Sequence, residues 1–202
     1  MDLLGGVILL LSVGLLAQRR VAGVIALAAL LGVVVAIAAA GQGWRQGDWQ
    51  LYLLAAITLA DGIAIPSLLG RIARRLQMLG AVEAVIGLTP GLLLGLGLVA
   101  LSLTIAPEGA SRMEALSVLL VGLLLMVARR PALVQVVGLL SAQNGVLLAA
   151  VQMPGLPLLP VLSIALTTIP ALLTPGLFAF RVRHRLEALD LRHLDLEGSA
   201  QP

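Results

Sequence analysis

Seven long apolar runs, separated by short charged breaks, constrain this chain more than any other feature of its sequence. The runs cover residues 3–18, 21–41, 49–70, 77–106, 113–128, 132–152 and 157–180. A helix needs about 20 apolar residues to cross the hydrocarbon core of a bilayer, and most of the runs reach that length. The first and fifth are shorter, so we expect their flanking arginines to snorkel or the bilayer to thin around them.

The composition excludes an ordinary soluble domain. Hydrophobic residues make up 60% of the 202 residues and charged residues only 11%. A soluble domain carries about one-quarter charged residues and could not bury this much apolar side chain. The sequence therefore predicts an all-α, polytopic membrane protein of about seven transmembrane helices embedded in a lipid bilayer.

The arginines indicate the orientation of these helices. If the seven spans alternate in direction, eleven arginines fall on one side of the membrane and two, Arg45 and Arg112, fall on the other. The side richer in Lys and Arg is normally cytoplasmic, so we predict an N-terminus outside and a C-terminus in the cytoplasm. The arginines sit at the ends of apolar runs and aromatic residues make up only 2%, which excludes a nucleic-acid-binding face.

Several chemistries are excluded by residue type. The chain contains no cysteine and no lysine, and its two histidines, His184 and His193, lie in the polar C-terminal tail. Thiolate ligands, nucleophilic cysteines and Schiff bases are therefore excluded. We expect no metal site, no cofactor and no catalytic residues, and the chain should not be an enzyme by itself.

The charged breaks repeat after 110 residues. The arginine pair at 19–20 corresponds to the pair at 129–130, and the cluster at 71–76 corresponds to the cluster at 181–186. Two parallel three-helix units joined by one connecting helix would produce this pattern, although similar topology signals can also recur by chance. The predicted division is a first unit at 1–76, a connecting transmembrane helix at 77–112, a second unit at 113–182 and a cytoplasmic tail at 183–202.

Two carboxylates interrupt the apolar runs. Asp61 lies ten residues before Arg71, or about 15 Å along a helix, and Glu83 lies eight residues after Arg75, or about 12 Å. We therefore expect them at similar depth on adjacent helices. Burial and like charge disfavour two ionised carboxylates, so at least one should be protonated at neutral pH. Such acids are typical of proton relays; the alternative is a pair of protonated acids that hold two helices together.

Prolines and uncharged polar residues accompany these acids. Pro66 and Pro90 should each free a helix carbonyl for a carboxyl group or a water molecule. The uncharged candidates for hydrating a path or for packing helices are Gln135, Ser141, Gln143 and Asn144 in the sixth run and Thr168 in the seventh. Hydration and helix packing remain alternatives for all of them.

The C-terminal tail mixes leucines with charges of both signs. This pattern predicts an amphipathic cytoplasmic helix that lies on the membrane surface or binds a cytoplasmic partner subunit. A merely solvated tail is the alternative.

The segment "ARRPALVQVVGLLSAQNGVLLAAV", residues 128–151, resembles the corresponding helix of hydrogenase-4 component E proteins. These are related to the K-type subunit of respiratory complex I and to the C-type subunit of multisubunit cation/proton antiporters. The likeness includes an arginine-led start, Gly138, and the pair Asn144-Gly145. The length of the chain, its number of spans and its charged tail are also similar to those of that family.

The chain departs from the family at three ionisable positions. The resemblance implies glutamate at the position of Gln143, lysine at that of Asp61, ahead of the matching Pro66, and an aspartate around Thr168. An amide cannot replace a carboxylate as a proton carrier, so Asp61 and Glu83 are the better candidates for a proton path.

The resemblance implies a membrane-arm subunit of a redox-driven, ion-translocating complex of the hydrogenase-4 type. Such a subunit would lie in the cytoplasmic (inner) membrane of a bacterium or archaeon, with antiporter-like and other membrane subunits as partners and the redox centres in other chains. Two alternatives stay open. The chain could be purely structural, or it could be a stand-alone secondary transporter of a cation or small cationic substrate.

Overall fold

The computed structural model describes residues 3–75, 86–105 and 110–152, and these residues are almost entirely helical. The helices are α1 Leu3–Ala17, α2 Val21–Gln46, α3 Trp49–Arg75, α4 Leu88–Ile105, α5 Ala110–Ala128 and α6 Ala132–Val151. Four of them, α2, α3, α4 and α6, are long and apolar enough to cross a membrane. The all-α prediction is confirmed for this part of the chain. The predicted seventh span, the tail, Glu83 and Thr168 lie outside the described residues.

The turn between α2 and α3 shows how local chemistry ends one helix and begins the next. Gly47 adopts a left-handed conformation with φ of 65° and terminates α2, which is a backbone state that glycine reaches without steric cost. The Oδ1 atom of Asp48 then accepts a hydrogen bond from the Gln50 N–H at 2.9 Å, so Asp48 caps the start of α3. Helix α2 therefore extends to Gln46, beyond the predicted limit at residue 41.

Helix α4 begins later than the fourth apolar run predicts. It starts at Leu88, so Pro90 lies in its first turn, where a missing N–H leaves no helical hydrogen bond unmade. The prediction that Pro90 frees a carbonyl inside a helix is therefore wrong. Pro66, by contrast, lies inside α3 and cannot donate a hydrogen bond to the Gly62 carbonyl four residues earlier.

Two tightly packed helix pairs, α2 with α3 and α5 with α6, form the bundle. Helix α2 also packs on α6, and α1 packs on α5, while α4 covers α5 and α1. Glycines allow the close approach: a Cβ added to Gly32 of α2 would lie 2.8 Å from the Gly62 Cα of α3. Added Cβ atoms at Gly122 of α5 or Gly145 of α6 would likewise meet backbone atoms of the paired helix. Small residues at helix contacts are the usual means of packing in membranes.

The described arginine clusters gather at one end of the bundle, which we call the basic end. Arg129, buried in the α5–α6 loop, donates a hydrogen bond from Nη2 to the Leu16 carbonyl of α1 at 2.6 Å. Burial lowers the pKa of the Arg129 guanidinium from its ordinary value, yet arginine stays charged in proteins. Arg71 and Arg74 line a groove with Ala22 at the start of α2. These arginines are among the eleven assigned to the cytoplasmic side, and the orientation itself stays a prediction.

Candidate functional site

A small cavity lies where α2, α3 and α6 meet, and we call it the Asp61 cavity. It has a volume of about 30 Å³ and is lined by Ala28, Thr58, Asp61, Gly62, Pro66, Leu140, Gln143, Asn144 and Leu147. A water molecule needs about 10–15 Å³ on this measure, so the cavity has room for one or two. Three of the predicted site residues, Asp61, Gln143 and Asn144, are therefore brought together.

The glycine contact between α2 and α3 positions Asp61. Gly62, the next residue along α3, meets Gly32 backbone to backbone, so no side chain separates the two helices at this level. Ala28, one turn before Gly32, adds only a methyl group to the cavity wall. Asp61 is half-buried. The small residues thus leave open a space that larger side chains would fill.

Helix α6 supplies the opposite wall of the cavity. Leu140, Asn144 and Leu147 follow one another at the spacing that places residues on one helix face. Gln143, beside them, is buried with 9% of its surface exposed. The amide pair is therefore held at the level of Asp61 by leucines one turn to either side.

The other predicted residues of α6 lie elsewhere. Gln135 donates a hydrogen bond from Nε2 to the Arg129 carbonyl at 3.2 Å, near the basic end. Ser141 does not line the cavity; it is fully buried, and within the described residues its hydroxyl oxygen has no hydrogen-bond partner. Its neighbours Gly138 and Gly145 pack against α5. Gln135 therefore bonds to the loop that precedes its own helix, away from the Asp61 cavity.

The Asp61 cavity can accommodate both protonation states of a carboxyl group. A side-chain amide offers N–H donors, which stabilise a carboxylate, and a carbonyl oxygen, which accepts a hydrogen bond from a carboxylic acid. Gln143 and Asn144 supply both kinds of group, and Asp61 is the single ionisable residue that lines the cavity. Within the described residues, no cluster of His, Cys, Asp or Glu is suited to a metal ion. The arrangement suits proton exchange.

Glu114 is a further buried carboxylate, and it is not among the predicted site residues. It lies near the start of α5 and exposes 9% of its surface. A carboxylate only two positions after Arg112 looks like part of a solvated helix end. The signal in the sequence was its place inside the predicted fifth span, residues 113–128, where an acid is costly.

No protein-family model matches the chain, and neither a curated protein nor a solved structure matches it. The resemblance to the component E family is thus an expectation that depends on the segment at 128–151.

Proposed function

We propose that this chain is a membrane-arm subunit of a redox-driven, ion-translocating complex of the hydrogenase-4 type, and that Asp61 exchanges protons within it. The observation that carries the proposal is the shared cavity of Asp61, Gln143 and Asn144. An ionisable residue in the apolar part of a membrane protein is costly and is typically used for transport. Such a residue needs room for water and neighbours that can hydrogen-bond both its charged and its neutral form. The Asp61 cavity offers both.

The family resemblance gains support from the same cavity. It implies lysine at position 61 and glutamate at position 143, two positions that are far apart in the sequence. Both line one cavity in this structure, so the two departures from the family occur at a single site. An ion pair there would be neutral overall, and a protonated aspartic acid beside glutamine is neutral too. We infer that the two replacements compensate each other.

A proton path through this cavity would use the acid and its neighbours in turn. The Asp61 carboxylate would take a proton from a protonated water molecule (hydronium), which becomes neutral water, and the resulting carboxylic acid would be held by an amide carbonyl. It would then release the proton to a water molecule on its other side, and the amide N–H groups would stabilise the carboxylate. The Gly62 carbonyl, which Pro66 leaves without its helical donor, is a further acceptor for such a water molecule.

The helix boundaries support the proposed division into two parallel units. Helices α1 and α5 end at Ala17 and Ala128, and helices α2 and α6 begin at Val21 and Ala132, so each pair is 111 residues apart. The equivalent helices also pack on each other, α1 on α5 and α2 on α6. The cavity lies between α2 and α3 of the first unit and α6 of the second. Transport sites commonly occur at such an interface between repeats.

The experiment for this proposal combines isolation with one substitution. A tag on the C-terminus should recover antiporter-like and redox subunits from mild detergent. Asp61→Asn should then abolish proton translocation by the reconstituted complex without changing its subunit content, and Asp61→Glu should retain part of it. Asp48→Asn is the matched control, because asparagine caps a helix as well as aspartate does.

Two results would favour the alternatives. Full proton translocation by the Asp61→Asn variant would mean that Asp61 has a structural role and does not carry protons. Purification of the chain without partners, in a folded and active form, would contradict the complex and favour a stand-alone transporter.

A further inference from the structure

Glu114 of α5 is buried against α1, at the end of the bundle opposite the basic end. A Cβ added to Gly5 of α1 would overlap the Glu114 carboxyl group. The missing side chain at Gly5 therefore provides the room in which this carboxyl group lies. Only 9% of the Glu114 surface is exposed. Burying a carboxyl group within a predicted membrane span is costly, and such residues are typically functional.

Glu114 also lines a second cavity, which we call the vestibule. Helices α1, α2, α5 and α6 enclose it, and its volume is about 380 Å³, enough for several water molecules. Its polar lining residues are Gln42, Arg45, Glu114 and Gln152. Arg45 is exposed at the last turn of α2, so the vestibule opens toward solvent at the end predicted to lie outside.

The vestibule and the Asp61 cavity are stacked along the same two helices. On α6, Leu147 lines the Asp61 cavity and Leu148 lines the vestibule. On α2, the corresponding residues are Ala28 and Ala38, about 15 Å apart at 1.5 Å per residue. The α2 residues between them include Leu31 and Val35, both fully buried. An apolar layer thus separates two polar chambers.

We infer that Glu114 is a second proton-exchanging carboxyl group and that the vestibule is the half-channel through which protons pass between Asp61 and the predicted outer side. The connection to Asp61 rests on the proposed function; proton exchange at Glu114 does not. In the exchange, one carboxylate oxygen forms an O–H bond with a proton from a protonated water molecule (hydronium) in the vestibule, whose own O–H bond breaks to leave neutral water. The reverse step returns the proton to water.

The charges around Glu114 suit this exchange. Arg45 of α2 lines the same vestibule, and Arg112 lies on the same helix as Glu114. The residues of α1 and α6 that line the vestibule carry no formal charge, and α4 contains no charged residue. The guanidinium of Arg45 can stabilise the carboxylate form of Glu114, and the apolar residues that line the vestibule can accommodate its neutral acid form. The rival interpretation is a fixed polar contact that only holds α1 to α5.

The test uses dicyclohexylcarbodiimide, which reacts with protonated carboxyl groups in apolar surroundings, on the wild-type chain in native membranes. Mass spectrometry of the peptides would locate the adducts. We expect an adduct on Glu114 whose yield falls by about tenfold per pH unit above the titration midpoint of that group. Asp48, the half-buried helix cap at the α2–α3 turn, is the internal control. Its carboxylate accepts a hydrogen bond from the Gln50 N–H, so it should carry no adduct.

Function is tested with conservative variants of the purified complex. Glu114→Gln should lower the rate of proton translocation about tenfold or more, and Glu114→Asp should retain much of it. Absence of a Glu114 adduct at every pH, or full activity of Glu114→Gln, would overturn the inference and favour the fixed contact.

The two proposals fail separately. If Asp61→Asn keeps full translocation while Glu114 still reacts in a pH-dependent way, the proposed role of Asp61 is wrong and proton exchange at Glu114 stands. If Asp61→Asn is inactive and Glu114 never reacts, the vestibule is not the half-channel and the role of Asp61 stands.

Discussion

At the scale of single residues, the Asp61 cavity is defined by one acid and two amides. Asp61 lines it together with Gln143 and Asn144, and these three come from helices that are distant in the sequence. A carboxylate in a volume of about 30 Å³ depends strongly on what its neighbours donate and accept, because little water can screen it. The identity of residue 143 should therefore decide which residue is tolerated at 61.

Restoring the pair implied by the family tests this dependence. Asp61→Lys alone would bury an ammonium group without an acid beside it, and Gln143→Glu alone would place two carboxyl groups in one cavity. We expect each single variant to lower the thermal unfolding midpoint, and the double variant to recover most of the loss. A coupling free energy of about 1–3 kcal/mol is typical of side chains in contact. Unfolding of purified protein in detergent would measure it.

The control for this cycle is Asp61→Lys combined with Gln135→Glu, which adds the same two charges but places the glutamate near the basic end. That combination should show no recovery. Strictly additive effects for the 61 and 143 variants would show that the two side chains do not share a cavity.

At the scale of helices, glycine contacts set how the bundle packs. The Gly32–Gly62 contact draws α2 and α3 together at the level of Asp61, and Gly122 and Gly145 do the same for α5 and α6. No hydrophobic driving force operates between helices inside lipid, so close backbone packing carries much of the stability. The same contacts determine which faces of α3 and α6 line the Asp61 cavity.

Adding one methyl group at this contact should be costly. Gly32→Ala would place a Cβ 2.8 Å from the Gly62 Cα, and backbone cannot move aside as a flexible side chain can. We expect a loss of about 1–3 kcal/mol in the free energy of unfolding. Gly70→Ala in α3 is the matched control, because a Cβ there meets no atom within 4 Å and alanine favours helix. Equal stability of the two variants would argue against close packing of α2 and α3.

At the scale of the whole molecule, charge separates the two ends of the bundle. The basic end gathers the α1–α2 loop, the α5–α6 loop and the end of α3, and Arg129 joins two of these elements through the Leu16 carbonyl. The opposite end carries the α2–α3 turn and the vestibule. If the basic end is cytoplasmic, the vestibule faces the outside.

The absence of native cysteines makes this orientation directly testable. Single cysteines at Gln46 and at Arg130 would lie at opposite ends of the bundle in an otherwise thiol-free chain. In intact cells, a membrane-impermeant maleimide should modify Gln46→Cys, whereas Arg130→Cys should react only after the membrane is permeabilised. The reverse pattern would invert the topology and place the vestibule on the cytoplasmic side.

The sequence by itself determined the helical class, most of the helix boundaries and the orientation signal. Each depends on local chemistry: apolar runs make helices in a bilayer, and arginines mark the breaks between them. The start of α4 at Leu88, directly after the non-helical Ile86 and Gly87, escaped prediction because these two residues do not differ in polarity from the helix that follows.

Only the tertiary structure decided which side chains meet. Asp61 shares a cavity with Gln143 and Asn144, and Glu114 lies against Gly5, although each of these pairings spans more than 80 residues of sequence. The helices are apolar on nearly every face, so hydrophobic periodicity does not reveal which face turns inward. That rotation is set by where glycines permit two backbones to touch, which is a property of pairs of helices and not of any one segment.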